Sequence, residues 1–244
     1  MVFHKGRAGV PCRGVASPRK VDKDTTSSNS FPLETQHPFV GFRAGGYAAI
    51  LADPPWRFQT RSPKGDDRAP PYTRMSVADI AALPVGELAA RDAVLFLWTI
   101  DPMLPQALEV IGAWGFVFKT IGFTWVKMNA TGVAPIGCGF WTRANPEQCL
   151  LATRGHPKRL NCNVRQLIMA PRREHSRKPD EIRARIERLV AGPYVELFAR
   201  ERAPGWDAWG DEIGAFGTPR NSRANGALNA AVRPAQWATA GNVT

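Results

Sequence analysis

Tyr47-Ala48-Ala49-Ile50-Leu51-Ala52-Asp53-Pro54-Pro55-Trp56 is the stretch on which the reading of this chain turns. Its first six residues are an apolar run of strand length, and a short functional-looking tetrapeptide follows. An acid, two prolines and an aromatic at the carboxyl end of a buried strand sit where open α/β sheets hold ligands. The Asp53 carboxylate can accept a hydrogen bond from an exocyclic amine. Pro54 has no N–H, so its carbonyl offers a second acceptor without a donor beside it, and Pro55 further limits how far the acceptors move. Trp56 offers a face on which a flat base can stack.

Outward from this stretch the pattern alternates between strand and helix. Ser76 is a candidate N-cap for a helix running to about residue 90, interrupted at Pro84. Residues 93–98 are continuously apolar, as in a central parallel strand. A helix is expected over 103–114, one or two strands over 116–126, and a Gly- and Pro-containing loop over 128–146. Residues 148–153 and 164–170 are further strand candidates. The clearest helix spans 179–190, with Pro179 at its first position and Ile182, Ile186, Leu189 and Val190 on one face. A final strand is expected over 194–199. The prediction is an α/β fold: an open, mostly parallel sheet with helices on both faces. Residues 46–213 form its domain. Residues 1–45 are expected to be a disordered basic arm and residues 214–244 a second loose tail.

Charge is the unusual global property. The 244 residues carry a net charge of +11, and residues 153–188 hold eleven Lys/Arg against four acids. Such a concentration points to a polyanion, most simply nucleic acid. Arg154, Lys158, Arg159, Arg165, Arg172, Arg173, Arg177 and Lys178 are the candidate phosphate contacts. The four cysteines include no C-x-x-C pair and fit no zinc spacing, so no metal site is expected. No apolar run approaches the ~18 residues of a membrane span, and no secretory signal opens the chain. A cytoplasmic protein with reduced thiols is the expectation.

Several segments, taken in order, carry a resemblance. They are Asp53-Pro54-Pro55-Trp56, Tyr72-Thr73-Arg74-Met75-Ser76, Leu95-Phe96-Leu97-Trp98, Thr124-Trp125-Val126-Lys127 and Glu147-Gln148-Cys149-Leu150. His175-Ser176-Arg177-Lys178-Pro179-Asp180-Glu181 and Glu196-Leu197-Phe198-Ala199-Arg200 complete the set. Together they resemble the MT-A70 family of adenine N6-methyltransferases, over about residues 47–213. The resemblance implies a Rossmann-like fold dependent on S-adenosylmethionine (SAM), with a permuted motif order in which the catalytic tetrapeptide precedes the cofactor segments. It implies a bacterial or phage-encoded enzyme that methylates adenine in nucleic acid, DNA in preference to RNA, and works as a homodimer or heterodimer. A catalytically silent nucleic-acid-binding subunit and an RNA methyltransferase are the alternatives.

The resemblance also assigns roles. Asp53 and the Pro54 carbonyl would stabilise positive charge growing on the amine, with Pro55 and Trp56 completing the catalytic motif. Trp56 and Tyr72 would stack on the extruded base. Lys178 would lie beside base and cofactor. Asp53, Lys178, Glu196, Arg200, Asp211 and Glu212 would contact SAM. Asp211 departs from the family's usual Asn, so Glu212 is the stronger ribose contact. No Gly-x-Gly loop follows residues 196–200, which suits a cofactor without phosphates. Asp180 and Glu181 are expected to be structural, loops 57–73 and 128–146 to gate the site, and Trp98, Trp114, Trp125 and Trp141 to be core or loop anchors.

Overall fold

Seven strands are hydrogen-bonded into one sheet in the order β5-β3-β4-β2-β1-β6-β7. The strands are β1 (Tyr47–Ala52), β2 (Ala89–Thr99), β3 (Val117–Met128), β4 (Glu147–Arg154), β5 (Leu167–Pro171), β6 (Tyr194–Leu197) and β7 (Trp206–Trp209). The helices are α1 (Val77–Ala82), α2 (Val85–Leu88), α3 (Leu104–Ala113) and α4 (Glu181–Leu189). They come from a computed structural model that describes residues 37–58, 74–137, 139, 141–173 and 177–214.

The sheet is mostly parallel: β1 pairs in parallel with β2 and β6, β6 with β7, and β3 with β5. β4 is the exception, antiparallel to both β2 and β3. Its direction follows from its connection. The described residues of segment 129–146 form no helix, so the chain returns beside β3 from the same end, as in a hairpin. The other expected strands and helices form with shifted ends, while the expected arm before residue 37 and tail after residue 214 lie outside the described residues. Pro84 splits the expected long helix into α1 and α2, and β2 claims its last residues. Ser76 caps α1, its Oγ accepting the Asp79 N–H at 3.1 Å. Pro179 lies one residue before the Asp180 cap of α4 and not inside the helix. β6 is not the last strand; β7 follows it at the sheet edge.

Helices cover both faces. Ile80, Val85, Leu88, Val110, Ile111 and Trp114 of the first three helices and the turn after α3 pack on one face, against Ile50, Leu95, Leu97, Leu150 and Val195. Ile182 and Ile186 of α4 pack on the other, against Leu51, Phe96, Trp98, Phe123 and Trp125. Trp98, Trp114 and Trp125 are core residues, as expected. Trp141 is not: it is 93% exposed in the loop between β3 and β4. The structured region also starts earlier than residue 46. Phe39 is 3% exposed, joins the first core and meets the Trp209 ring edge-on at 5.1 Å.

Strand order places the site. From β1 the chain first builds β2, β3, β4 and β5 to one side, then crosses by α4 to build β6 and β7 on the other. β1 and β6 therefore flank a topological switch point, where the loops beyond their carboxyl ends diverge and leave a crevice.

Candidate active site

A cavity of about 270 Å³ opens at this switch point. Asp53, Pro54, Pro55 and Trp56 from the end of β1 line it, with Thr99 and Ile100 from the end of β2. Phe198 and Arg200 enter after β6, Gly210, Asp211 and Glu212 after β7, and Lys178 from the segment before α4. Glu147 enters from the start of β4.

Lys178 joins the far segments of sequence. Its ammonium lies 2.8 Å from each oxygen of the Asp53 carboxylate and 3.3 Å from Glu147 Oε2. Glu147 in turn sits 2.6 Å from Lys127 Nζ. Two carboxylates and two ammonium groups thus alternate in a mostly buried chain. Burial pushes the Asp53 carboxyl above the ordinary aspartate range, and Lys178 pulls against that shift. Burial opposes the Lys178 charge too, but Asp53 and then Glu147 outweigh it and hold the ammonium above the usual lysine range. Burial also works to raise Glu147, and Lys178 and Lys127 together bring it below the usual glutamate range. The Trp98 ring, 5.5 Å from Lys178 Nζ, adds a cation–π contact to the same ammonium.

The tetrapeptide is tied down by hydrogen bonds. The Trp56 N–H donates to the Pro54 carbonyl at 2.8 Å, which leaves that oxygen one further lone pair. The Pro55 carbonyl accepts from the Met75 N–H at 2.9 Å, and a bridge between Trp56 and Met75 closes the loop that leaves β1. Trp56 is only 7% exposed, and its indole N–H donates to the Trp98 carbonyl at 3.0 Å. The indole is a fixed wall of the cavity and not an open stacking platform.

The late segments supply the opposite wall. Arg200 Nε and the Glu212 carboxylate lie 2.8 Å apart. Gly210 admits a close chain approach: a side chain there would strike the Ala199 carbonyl oxygen. Phe198, which has no glycine's freedom, holds φ of 61° with its ring edge-on to Trp209 at 5.4 Å. Strain of this kind gathers at ligand sites. Asp211 is exposed at the cavity rim. Glu196 stands apart from this wall. Its carboxylate is taken by Arg183, 2.7 Å from Nε, and it lines a smaller hollow behind Asp53.

Tyr72 lies outside the described residues, as do residues 59–73 of the first expected gate. Asp180 serves the fold, holding Arg173 at 2.7 Å and Arg183 at 3.3 Å. Glu181 pairs with Arg185. Of the eight candidate phosphate contacts, Arg154, Arg173, Arg177 and Lys178 are engaged internally: with the Gly86 carbonyl, Asp180, Glu201 and Asp53, respectively. Lys158, Arg159, Arg165 and Arg172 are exposed. Glu147 is the site residue that sequence reasoning missed. It lay in a quoted motif, but a strand taken as parallel would put its first residue at the wrong end of the sheet. Because β4 is reversed, Glu147 begins it at the catalytic edge.

The MT-A70 family model matches residues 47–212, which span both walls of the cavity. The type II methyltransferase M.MunI of Mycoplasma sp is 30% identical over 187 residues, covering 68% of this chain and 78% of that protein. The N(6)-adenosine-methyltransferase MT-A70-like protein of Drosophila melanogaster is 32% identical over 178 residues, 69% of this chain but 27% of that protein. The human N(6)-adenosine-methyltransferase catalytic subunit METTL3 is 29% identical over 218 residues, 84% of this chain and 35% of that protein. The chain therefore spans about a quarter to a third of the length of these two N6-adenosine methyltransferases.

Proposed function

The chain belongs to the MT-A70 family of methyltransferases, and from that premise we propose that it transfers a methyl group from SAM to the N6 amine of adenine in nucleic acid, with DNA preferred to RNA. The observation that carries this reading is the Asp53–Lys178 pair, with 2.8 Å contacts to both carboxylate oxygens, lining a cavity together with Arg200, Asp211 and Glu212. The preference for DNA rests on the type II methyltransferase relative, of which the match covers 78%.

The cavity's donor set suits SAM. Arg200 offers a cation for a carboxylate, Asp211 and Glu212 offer acceptors for hydroxyl or ammonium groups, and Phe58, Ile100, Phe198 and Trp209 offer apolar surface. Bound there, SAM would supply an electrophilic methyl on a sulfonium. Glu196 contributes through Arg183, which it fixes beneath the site.

The adenine amine is a weak nucleophile because its lone pair is delocalised into the ring. As the C–N bond forms and the C–S bond breaks, positive charge develops on that nitrogen. Asp53 stabilises that charge and, with the free lone pair of the Pro54 carbonyl, holds the nitrogen in line. Asp53 does not need to remove a proton beforehand; the proton leaves the nitrogen after transfer. Lys178 keeps the Asp53 carboxylate ionised and aimed despite its burial. Trp56 fixes the cavity wall against which the base lies.

Purified protein and isotope-labelled SAM, assayed side by side on double-stranded DNA, single-stranded DNA and RNA, should label adenine N6, with DNA the best substrate. Asp53→Ala should lower kcat by about a thousandfold, the scale of losing a transition-state charge partner, while leaving thermal unfolding cooperative. Retained transfer would sink the role given to Asp53.

A further inference from the structure

Folding divides the basic stretch of residues 153–188 between opposite ends of the sheet. Arg172 and Arg173 follow β5 at the catalytic edge. β4 instead runs away from that edge, and residues 155–166 connect it to β5 at the far end.

This distal connection is pinned by hydrogen bonds, none of them made by the side chains of Lys158, Arg159 or Arg165. It opens at Gly155, with φ of 63°, where a side chain would strike the Asp92 carboxylate and the Arg91 carbonyl. The His156 N–H donates to Asp92 at 2.7 Å and the Leu160 N–H to the Leu189 carbonyl at 2.8 Å. Asn161 donates to the Arg188 carbonyl and Gln166 to the Ile121 carbonyl, both at 2.6 Å. The loop contains no acid, and the acid at its base, Asp92, accepts the His156 N–H. Lys158, Arg159 and Arg165 are exposed and form no ion pair among the described residues. Three cations on an anchored, acid-free loop repel one another and add nothing to its anchoring. Such a surface fits a polyanion.

We propose that loop 155–166 is a second phosphate-contact site for the nucleic-acid substrate, distal to the catalytic edge and reached along edge strand β5. The proposal rests on the nucleic-acid reading above and extends it from the target base to the flanking chain. β5 has five residues and spans about 17 Å, roughly half a turn of B-form duplex. Arg172 marks its catalytic end, and Arg165 lies two residues before its other end. A polynucleotide engaged at both ends must extend at least that far beyond the target base, so the contact favours long substrates over short ones.

The test is the triple variant Lys158→Glu, Arg159→Glu, Arg165→Glu, with the triple alanine variant and thermal unfolding as checks on folding. Binding is read by anisotropy of a labelled 30-base-pair DNA duplex across 50–200 mM salt. Transfer is read with labelled SAM on that duplex and on an adenine-containing single-stranded 6-mer. The slope of log K against log salt should fall by about two to three, Kd for the duplex should rise about tenfold or more, and kcat on the 6-mer should be unchanged. An unchanged salt slope and Kd in both variants would overturn the proposal. A wild type that binds the duplex but methylates nothing would instead overturn the methyl-transfer reading, because binding is measured independently of transfer.

Discussion

Lys178 stands between two carboxylates, 2.8 Å from Asp53 and 3.3 Å from Glu147, and is reached from Asp53 only across 125 residues of sequence. Glu147 is 8% exposed, so its charge is tolerated only because Lys127 and Lys178 both hold it. Glu147→Gln keeps the shape but removes the charge, and should cost about 2 kcal/mol of stability near neutral pH. The pH dependence has a definite sign. Glu147 titrates lower in the folded chain than its unfolded value of 4.5, so its pairing contributes fully above that pH and is lost as pH falls further. Urea unfolding of wild type and variant should therefore differ near neutrality and converge on acidification. A constant difference would show that charge is not the reason. Asp53 behaves in the opposite sense, because burial raises its carboxyl and ionising it in the folded state is costly. Activity should accordingly decline on the acid side at a pH above the ordinary aspartate value of 3.8, seen in the pH profile of kcat/KM.

Among the elements, α4 does two jobs. Its apolar stripe, legible in the sequence as Ile182, Ile186 and Val190, seals one face of the sheet. Its polar side carries Arg183, which lies 2.7 Å from Glu196 of β6 and 3.2 Å from Glu201 just beyond it. The helix is thereby bolted to the strand that leads into the Phe198–Arg200 wall. Arg183→Ala would leave the largely buried Glu196 without its partner and should cost about 3 kcal/mol, read as a lower urea midpoint. A second measurement separates this from direct ligand contact: the variant should lose more stability than it loses affinity for SAM in calorimetric titration. The period of α4 was visible because a helix against a sheet needs one apolar face. The Arg183 pairing was not, since i-to-distant contacts have no local pattern. β7 escaped notice for a related reason. Trp206-Asp207-Ala208-Trp209 has only four residues between glycines, and its strand character comes from pairing with β6.

At the scale of the whole molecule, the segment before β1 belongs to the fold. Phe39 packs on Trp209, whose indole N–H donates to the Pro38 carbonyl at 2.8 Å. Gly210, Asp211 and Glu212 follow directly, so the start of the described chain braces one wall of the cavity. Phe39→Ala should cost about 3–4 kcal/mol, seen as a large drop in Tm. Removal of residues 1–45 should be as damaging, whereas removal of residues 1–36 should spare both Tm and transfer. Equal tolerance of the two truncations would refute this bracing.

The sequence by itself determined the alternation of strands and helices, the apolar stripes, the tetrapeptide at the end of β1 and the family. Each of these is written in local periodicity or in an ordered set of short motifs, and local patterns survive without knowledge of what lies across the sheet. Only the tertiary structure decided that β4 is reversed, that Glu147 therefore meets Lys178, that Glu196 turns to Arg183 while Arg200 meets Glu212, and that the basic stretch is split between the two ends of the sheet. Those outcomes depend on strand direction and order. They arise from which faces must be buried together and how each connection can cross, and no single segment carries that information.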